Sequence, residues 1–108
     1  MADFSLTRTD GGEHPVLQVA GDVDLAVTQQ LIDEGQRGLS EPGHTALVLD
    51  LERVTFMDSS GLSALVILRN AAARVGRTVQ LTNVPPNITR LLALSALDTL
   101  FAAPRHDA

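Results

Sequence analysis

Apolar and polar residues alternate over Phe4-Ser5-Leu6-Thr7-Arg8 and again over Thr78-Val79-Gln80-Leu81-Thr82. This two-residue period belongs to a half-buried strand. Val16-Leu17-Gln18-Val19-Ala20 reads as a further strand, and Asp10-Gly11-Gly12 is the turn that makes it the hairpin partner of the first. Gly21-Asp22-Val23-Asp24 then ends that strand. Ala46-Leu47-Val48-Leu49-Asp50-Leu51 is almost continuously apolar, the pattern of a central strand covered on its faces.

Longer periods separate these strands. A helix is predicted from about Leu25 to Leu39, with Leu25, Leu31 and Leu39 among its apolar positions, and Pro42-Gly43 closes the unit. Thr55-Phe56-Met57-Asp58 reads as a loop into a second helix, Ser59 to Val75. Its buried stripe is Gly61, Ala64, Leu65, Leu68, Ala72 and Val75. Gly76 stands where a helix stops. After Pro85-Pro86 a short helix carries Ile88, Leu91 and Leu92. Thr99-Leu100-Phe101 is expected to form a last short strand, and Pro104 to Ala108 a loose tail.

The order of strands and helices predicts an α/β fold. An antiparallel hairpin opens a mixed central sheet of four to five strands, and right-handed crossovers carry helices packed on the sheet. The 108 residues fit a single domain, with its core at about 4–101. The sequence has no cysteine, hence no disulfide frame, thiolate metal site or thiol nucleophile, which fits a reducing cytoplasm. The longest apolar run, Ala64 to Leu68, has five residues. A membrane span needs about 20, and no signal peptide is visible, so no membrane association is expected.

The net charge of −5 argues against a nucleic-acid partner. Residues 1–58 hold eleven acids against three arginines, a net of −8, while residues 59–108 carry +3.

The chemistry concentrates in Phe56-Met57-Asp58-Ser59-Ser60-Gly61-Leu62, where an apolar strand meets two serines at the start of a helix. Unpaired N–H groups and the macrodipole there favour negative charge. A phosphate on serine would be received by those groups without rebuilding the fold. It adds roughly −1.5 to −2 charge beside Asp58, and beside Asp22 and Asp24, which end a strand on the same side. A partner surface matched to the uncharged serine would lose affinity. The plainer alternative is that Asp58, Ser59 or Ser60 only caps the helix, and that Gly61 only lets the helix start pack closely. Leu62, Val66 and Ile67 lie beside or outside the buried stripe, among Ser63 and Asn70. They suggest a docking face of Ser63, Val66 and Ile67 with the loop around Asp58, unless other elements cover them.

The segment Phe56-Met57-Asp58-Ser59-Ser60-Gly61-Leu62 resembles the signature of the STAS-domain anti-sigma factor antagonists of bacterial partner switching. Gly21-Asp22-Val23-Asp24, Val48-Leu49-Asp50-Leu51 and the stretch from Val84 to Phe101 are similar to further parts of that family, so the likeness spans about residues 4 to 101. The resemblance implies phosphorylation of Ser59, the serine directly after the aspartate, with Asp24 near it. Together with the docking face read from the residues themselves, the expected partner contacts are Asp22, Asp24, Asp58, Ser60, Gly61, Ser63, Val66 and Ile67. That partner is an anti-sigma factor serine kinase, bound by the unphosphorylated form and released on phosphorylation, and a serine phosphatase resets the cycle. No cofactor is implied. The family commonly continues into a C-terminal helix, whereas this sequence has seven residues after Phe101.

A serine hydrolase would need Gly-x-Ser-x-Gly around its nucleophile. Met57 stands two residues before Ser59, and the histidines His14, His44 and His106 all fall in predicted loops or the tail. No His or carboxylate pair has metal-ligand spacing on a helix face. The serious rival is another use of the same domain, in a lipid-transport ATPase complex or a stress-sensing assembly. A transporter tail is not expected of a free-standing chain.

Overall fold

The computed structural model describes residues 3–10 and 12–101. Four strands, β1 (Ser5–Thr9), β2 (Val16–Val23), β3 (Ala46–Met57) and β4 (Thr78–Thr82), form one sheet in the order β1-β2-β3-β4. β1 and β2 are an antiparallel hairpin with Leu6 opposite Val19. β2–β3 and β3–β4 pair in parallel. Their connections are helices α1 (Thr28–Ser40) and α2 (Ser59–Arg74), and α3 (Pro86–Leu94) follows β4. The predicted mixed sheet is therefore observed, with four strands.

Alternation decides which face is covered. Leu17, Val19 and Val23 of β2, Leu47, Leu49 and Leu51 of β3, and Val79 and Leu81 of β4 are buried. They join Leu31, Leu65, Leu68, Ile88 and Leu92 of the helices in one apolar core. The intervening Gln18, Val48, Asp50, Gln80 and Thr82 stay partly or fully exposed. β3 is therefore covered on one face, not on both. The apolar run suggested otherwise because Val48 interrupts the alternation without being buried.

Two helices share that face, and glycine sets how closely they approach. A Cβ on Gly35 of α1 would stand 2.5 Å from Cδ2 of Leu68 on α2. α2 ends where Gly76 takes a positive φ of 71°. The Gly76 N–H bonds the Ala73 carbonyl and the Arg77 N–H that of Ala72, a Schellman closure. Val75 thus falls on the cap and is 60% exposed instead of completing the buried stripe.

Three expected boundaries move. Thr55-Phe56-Met57 is strand, not loop, because β2 itself continues through Val23 and supplies a partner: Asp22 pairs with Phe56 and Val23 with Met57. Gly21 makes the continuation feasible. Its φ is 89° and a Cβ there would meet the Asp3 carbonyl oxygen at 2.2 Å. α1 begins at Thr28, so Leu25 lies in the preceding turn and is 76% exposed. Thr99–Phe101 is turn and bend, with the Leu100 N–H bonded to the Leu97 carbonyl. Phe101 packs against the core as a side chain, without a strand. Gly11 and the tail from Pro104 to Ala108 lie outside the described residues.

The Gly35–Leu68 contact predicts non-additive stability. Leu68→Ala alone should cost about 2–5 kcal/mol. Adding Gly35→Ala should cost at least about 0.5 kcal/mol less in that background than in the wild type, because the Cβ then enters the vacated space. Denaturant titration of the four proteins in the cycle measures it, and strict additivity would contradict the packing.

Candidate functional site

The site is built where β2 and β3 end together and α2 begins. Asp58 is extended, with φ −101° and ψ −171°, and its carboxylate accepts from the Ser60 and Gly61 N–H groups at 2.9 and 3.2 Å. The Ser60 hydroxyl donates to the same carboxylate oxygen at 2.5 Å. The Asp58 N–H donates back to the Val23 carbonyl at 3.3 Å. The cap thereby ties the helix to the neighbouring strand. These donors hold the Asp58 carboxyl below its ordinary pKa, the Ser60 hydroxyl most, with burial opposing them and the Gly61 and Ser60 amides adding to the lowering.

Gly61 is buried and shapes the site from beneath. A Cβ there would lie 2.5 Å from Cγ of Met57 and 3.0 Å from the Val23 carbonyl oxygen. Any larger residue would lift the helix start off the sheet. Gly61 thus lies below the surface that a partner could touch.

The two serines differ. Ser60 is half-buried and its hydroxyl is committed to Asp58. Ser59, the first helical residue, is exposed. Its carbonyl accepts from the Ser63 hydroxyl at 3.0 Å, while its own hydroxyl has no hydrogen-bond partner among the described residues. The helix start, however, is not an empty anion cradle. The Ser60 and Gly61 amides already serve the Asp58 carboxylate, and the Leu62 amide serves the Asp58 carbonyl. Of the N–H groups expected to receive a phosphate, those of Ser60 and Gly61 are therefore already committed. Charge added at Ser59 would face solvent next to Asp58.

Asp22 and Asp24 flank Val23, the residue that accepts from Asp58. Asp22 accepts the Thr55 hydroxyl at 2.6 Å. Asp24 accepts the Ala26 N–H at 3.0 Å, an Asx turn ahead of α1. It does not cap that helix, whose N-cap position is Val27.

Along α2, Ser59 and Ser63 are exposed, Ile67 is 44% exposed, and Val66 is half-buried. This spacing puts them on one side. Leu62 is only 7% exposed and belongs to the core. Leu25 and Phe56, neither of them among the expected contact residues, are 76% and 50% exposed at this end of the sheet. Phe56 was hidden by the loop reading, and Leu25 by its assignment to a helix face. His14 and His44 precede β2 and β3, at the other end of the strands from Ser59. The His44 Nδ1 lies 2.9 Å from the Glu13 carbonyl.

Comparison with known proteins agrees with the fold. The family described as "Mlab, STAS domain" matches residues 6–102. A STAS-domain containing protein of Pseudomonas aeruginosa is 33% identical over 101 residues, 94% of this chain and 97% of the relative. Among solved structures, an anti-sigma factor antagonist from Mycobacterium paratuberculosis superposes with a TM-score of 0.77 at 24% identity, covering 97% of this chain and 88% of the other. The unphosphorylated anti-sigma factor antagonist SpoIIAA gives 0.76 at 18% identity, covering 95% and 90%. Its phosphorylated form has been solved too. A SulP transporter STAS domain from Vibrio cholerae shares the fold at 0.63 and 18% identity, covering 81% and 70%, so architecture alone does not select one assembly.

The cap predicts a pH signature. A carboxyl with a depressed folded pKa contributes stability that is complete above its unfolded value, near 3.8, and is lost as pH falls through the folded value. Ser60→Ala should move the Asp58 titration up toward the ordinary value, and Ser59→Ala should leave it in place. Carboxyl NMR titration checks both, and equal effects of the two variants would contradict the assignment.

Proposed function

We propose that this chain, which belongs to the STAS domain family, is an anti-sigma factor antagonist switched by phosphorylation of Ser59. The observation that carries this reading is the asymmetry of the two serines. Ser59 presents a free, exposed hydroxyl at the head of α2, while the Ser60 hydroxyl is held by Asp58. The similar structures named anti-sigma factor antagonists, one of them in a phosphorylated form, support it.

In the unphosphorylated state the exposed side of α2 binds an anti-sigma factor serine kinase and so frees the sigma factor. Ser63 and Ile67, with Val66 at the margin, make the contact, and the turn of Asp22, Asp24 and Asp58 frames it. Phosphorylation places roughly two negative charges among these carboxylates. The Ser60 and Gly61 amides that could offset it are held by Asp58, so the new charge repels its neighbours and must be desolvated on binding. Release follows without refolding. A serine phosphatase restores the binding form. The domain acts in the cytoplasm as one unit and catalyses nothing itself.

A second reading, a STAS subunit seated on an ATPase of a lipid-transport complex, is favoured by one finding: the matching family is described as Mlab and not by a sigma-factor role. The readings separate on whether a bound kinase transfers phosphate to Ser59.

Ser59→Ala should hold the kinase without release and Ser59→Asp should bind it poorly. Incubation with kinase and ATP should label Ser59, and mass-spectrometric mapping of the label to Ser60 would overturn the residue assignment. Ile67→Glu should weaken kinase binding by more than about 1 kcal/mol, a loss of hot-spot size, with little change in melting temperature. Calorimetry that finds unchanged affinity would place the docking face elsewhere.

A further inference from the structure

β1 pairs with β2 along one edge, and no strand of the described residues lies along the other. Beside that free edge a groove of about 570 Å³ separates β1 from α1. Phe4, Leu6 and Leu17 form its apolar part, and Asp33, Glu34 and Arg37 of α1 stand along the opposite wall. Phe4 and Leu6 are only half-buried, so apolar area remains to be covered. An unpaired strand edge presents a row of N–H and C=O groups. A groove between such an edge and a helix is the geometry in which an extended peptide adds as one more strand and seats alternate side chains in the groove.

The charges define what fits. Arg8 is paired with Asp10 and Glu41, and Arg37 with Glu34. Among the described residues Asp33 is bonded only to the neutral Gln29 amide, at 2.9 Å. Of the charged residues that line the groove, Arg37 is matched by Glu34, and Arg8 by Asp10 and Glu41 outside it, which leaves Asp33 as the lining acid without a cationic partner among the described residues. We propose that this groove binds an extended basic segment of a partner protein as a fifth strand beside β1. The segment is apolar at alternate positions and carries a lysine or arginine opposite Asp33. None of the lining residues belongs to the Ser59 site, so the proposal stands apart from the phosphorylation reading and gives the domain a second contact.

The test is selection from a random heptapeptide library displayed on phage against the full chain, followed by NMR titration of the selected peptide. Enriched peptides should alternate apolar residues with lysine or arginine. They should shift the amides of β1 and of Gln30 to Arg37, and bind at least tenfold more weakly to Asp33→Lys, an exposed substitution. An N-methylated version of the same peptide, which cannot donate to the strand edge, should lose binding. No enrichment, acidic or non-alternating peptides, shifts centred on Ser59, or binding indifferent to N-methylation would each overturn it. Sedimentation showing that β1 is already paired with a second copy of this chain would overturn it as well.

Discussion

The arrangement depends on one carboxylate. Asp58 closes the first turn of α2, holds the Ser60 hydroxyl, and through its own N–H fastens that turn to Val23 of β2. A helix start leaves four amides without intrahelical partners, and this carboxylate takes two of them. Its placement needs the missing side chain of Gly61, because the helix rests on Met57 and the Val23 backbone at distances that leave no room for a Cβ. The same contacts that make the fold local and rigid here leave one hydroxyl, that of Ser59, exposed and uncommitted. Structural capping and the proposed regulatory role are therefore compatible in this segment. The cap sorts the two serines.

Rigidity at that point limits how a covalent charge can act. The Ser60 and Gly61 amides at the helix start are already bonded to Asp58, and the carboxylates of Asp22 and Asp24 flank Val23 on the neighbouring strand end. The energetic consequence falls on whatever is docked outside, by repulsion and desolvation, and not on the core of Leu49, Leu51 and Leu65. The one-sided sheet adds to this economy. α1 and α2 cover one face, while the strand ends and the edge at β1 remain as surfaces for other molecules.

Much of the architecture was legible because period and chemistry agreed. β1, β4 and α2 announced themselves by alternation, helical spacing and the Gly76 stop. The failures share a cause, which is that tertiary partners override local signals. Phe56 and Met57 look like loop until β2 continues past Gly21 to pair with them. Leu25 looks like a helix position until Asp24 closes an Asx turn before it. Leu62 looks surplus by helical spacing alone, yet it is packed into the core. At the site, the motif marked Asp58, Ser59 and Ser60 correctly as a unit. Which hydroxyl was free could not be read from adjacency, since it depends on the direction of one side-chain hydrogen bond.

The most direct test is the affinity of the anti-sigma factor kinase for the chain stoichiometrically phosphorylated on Ser59, compared with the unmodified chain, with amide NMR spectra of both. The account predicts binding at least tenfold weaker after phosphorylation, with shifts confined to residues near Asp22 to Leu25 and Phe56 to Ile67. Equal affinity, or shifts spread through the sheet, would contradict a switch that acts by local charge on an unchanged fold.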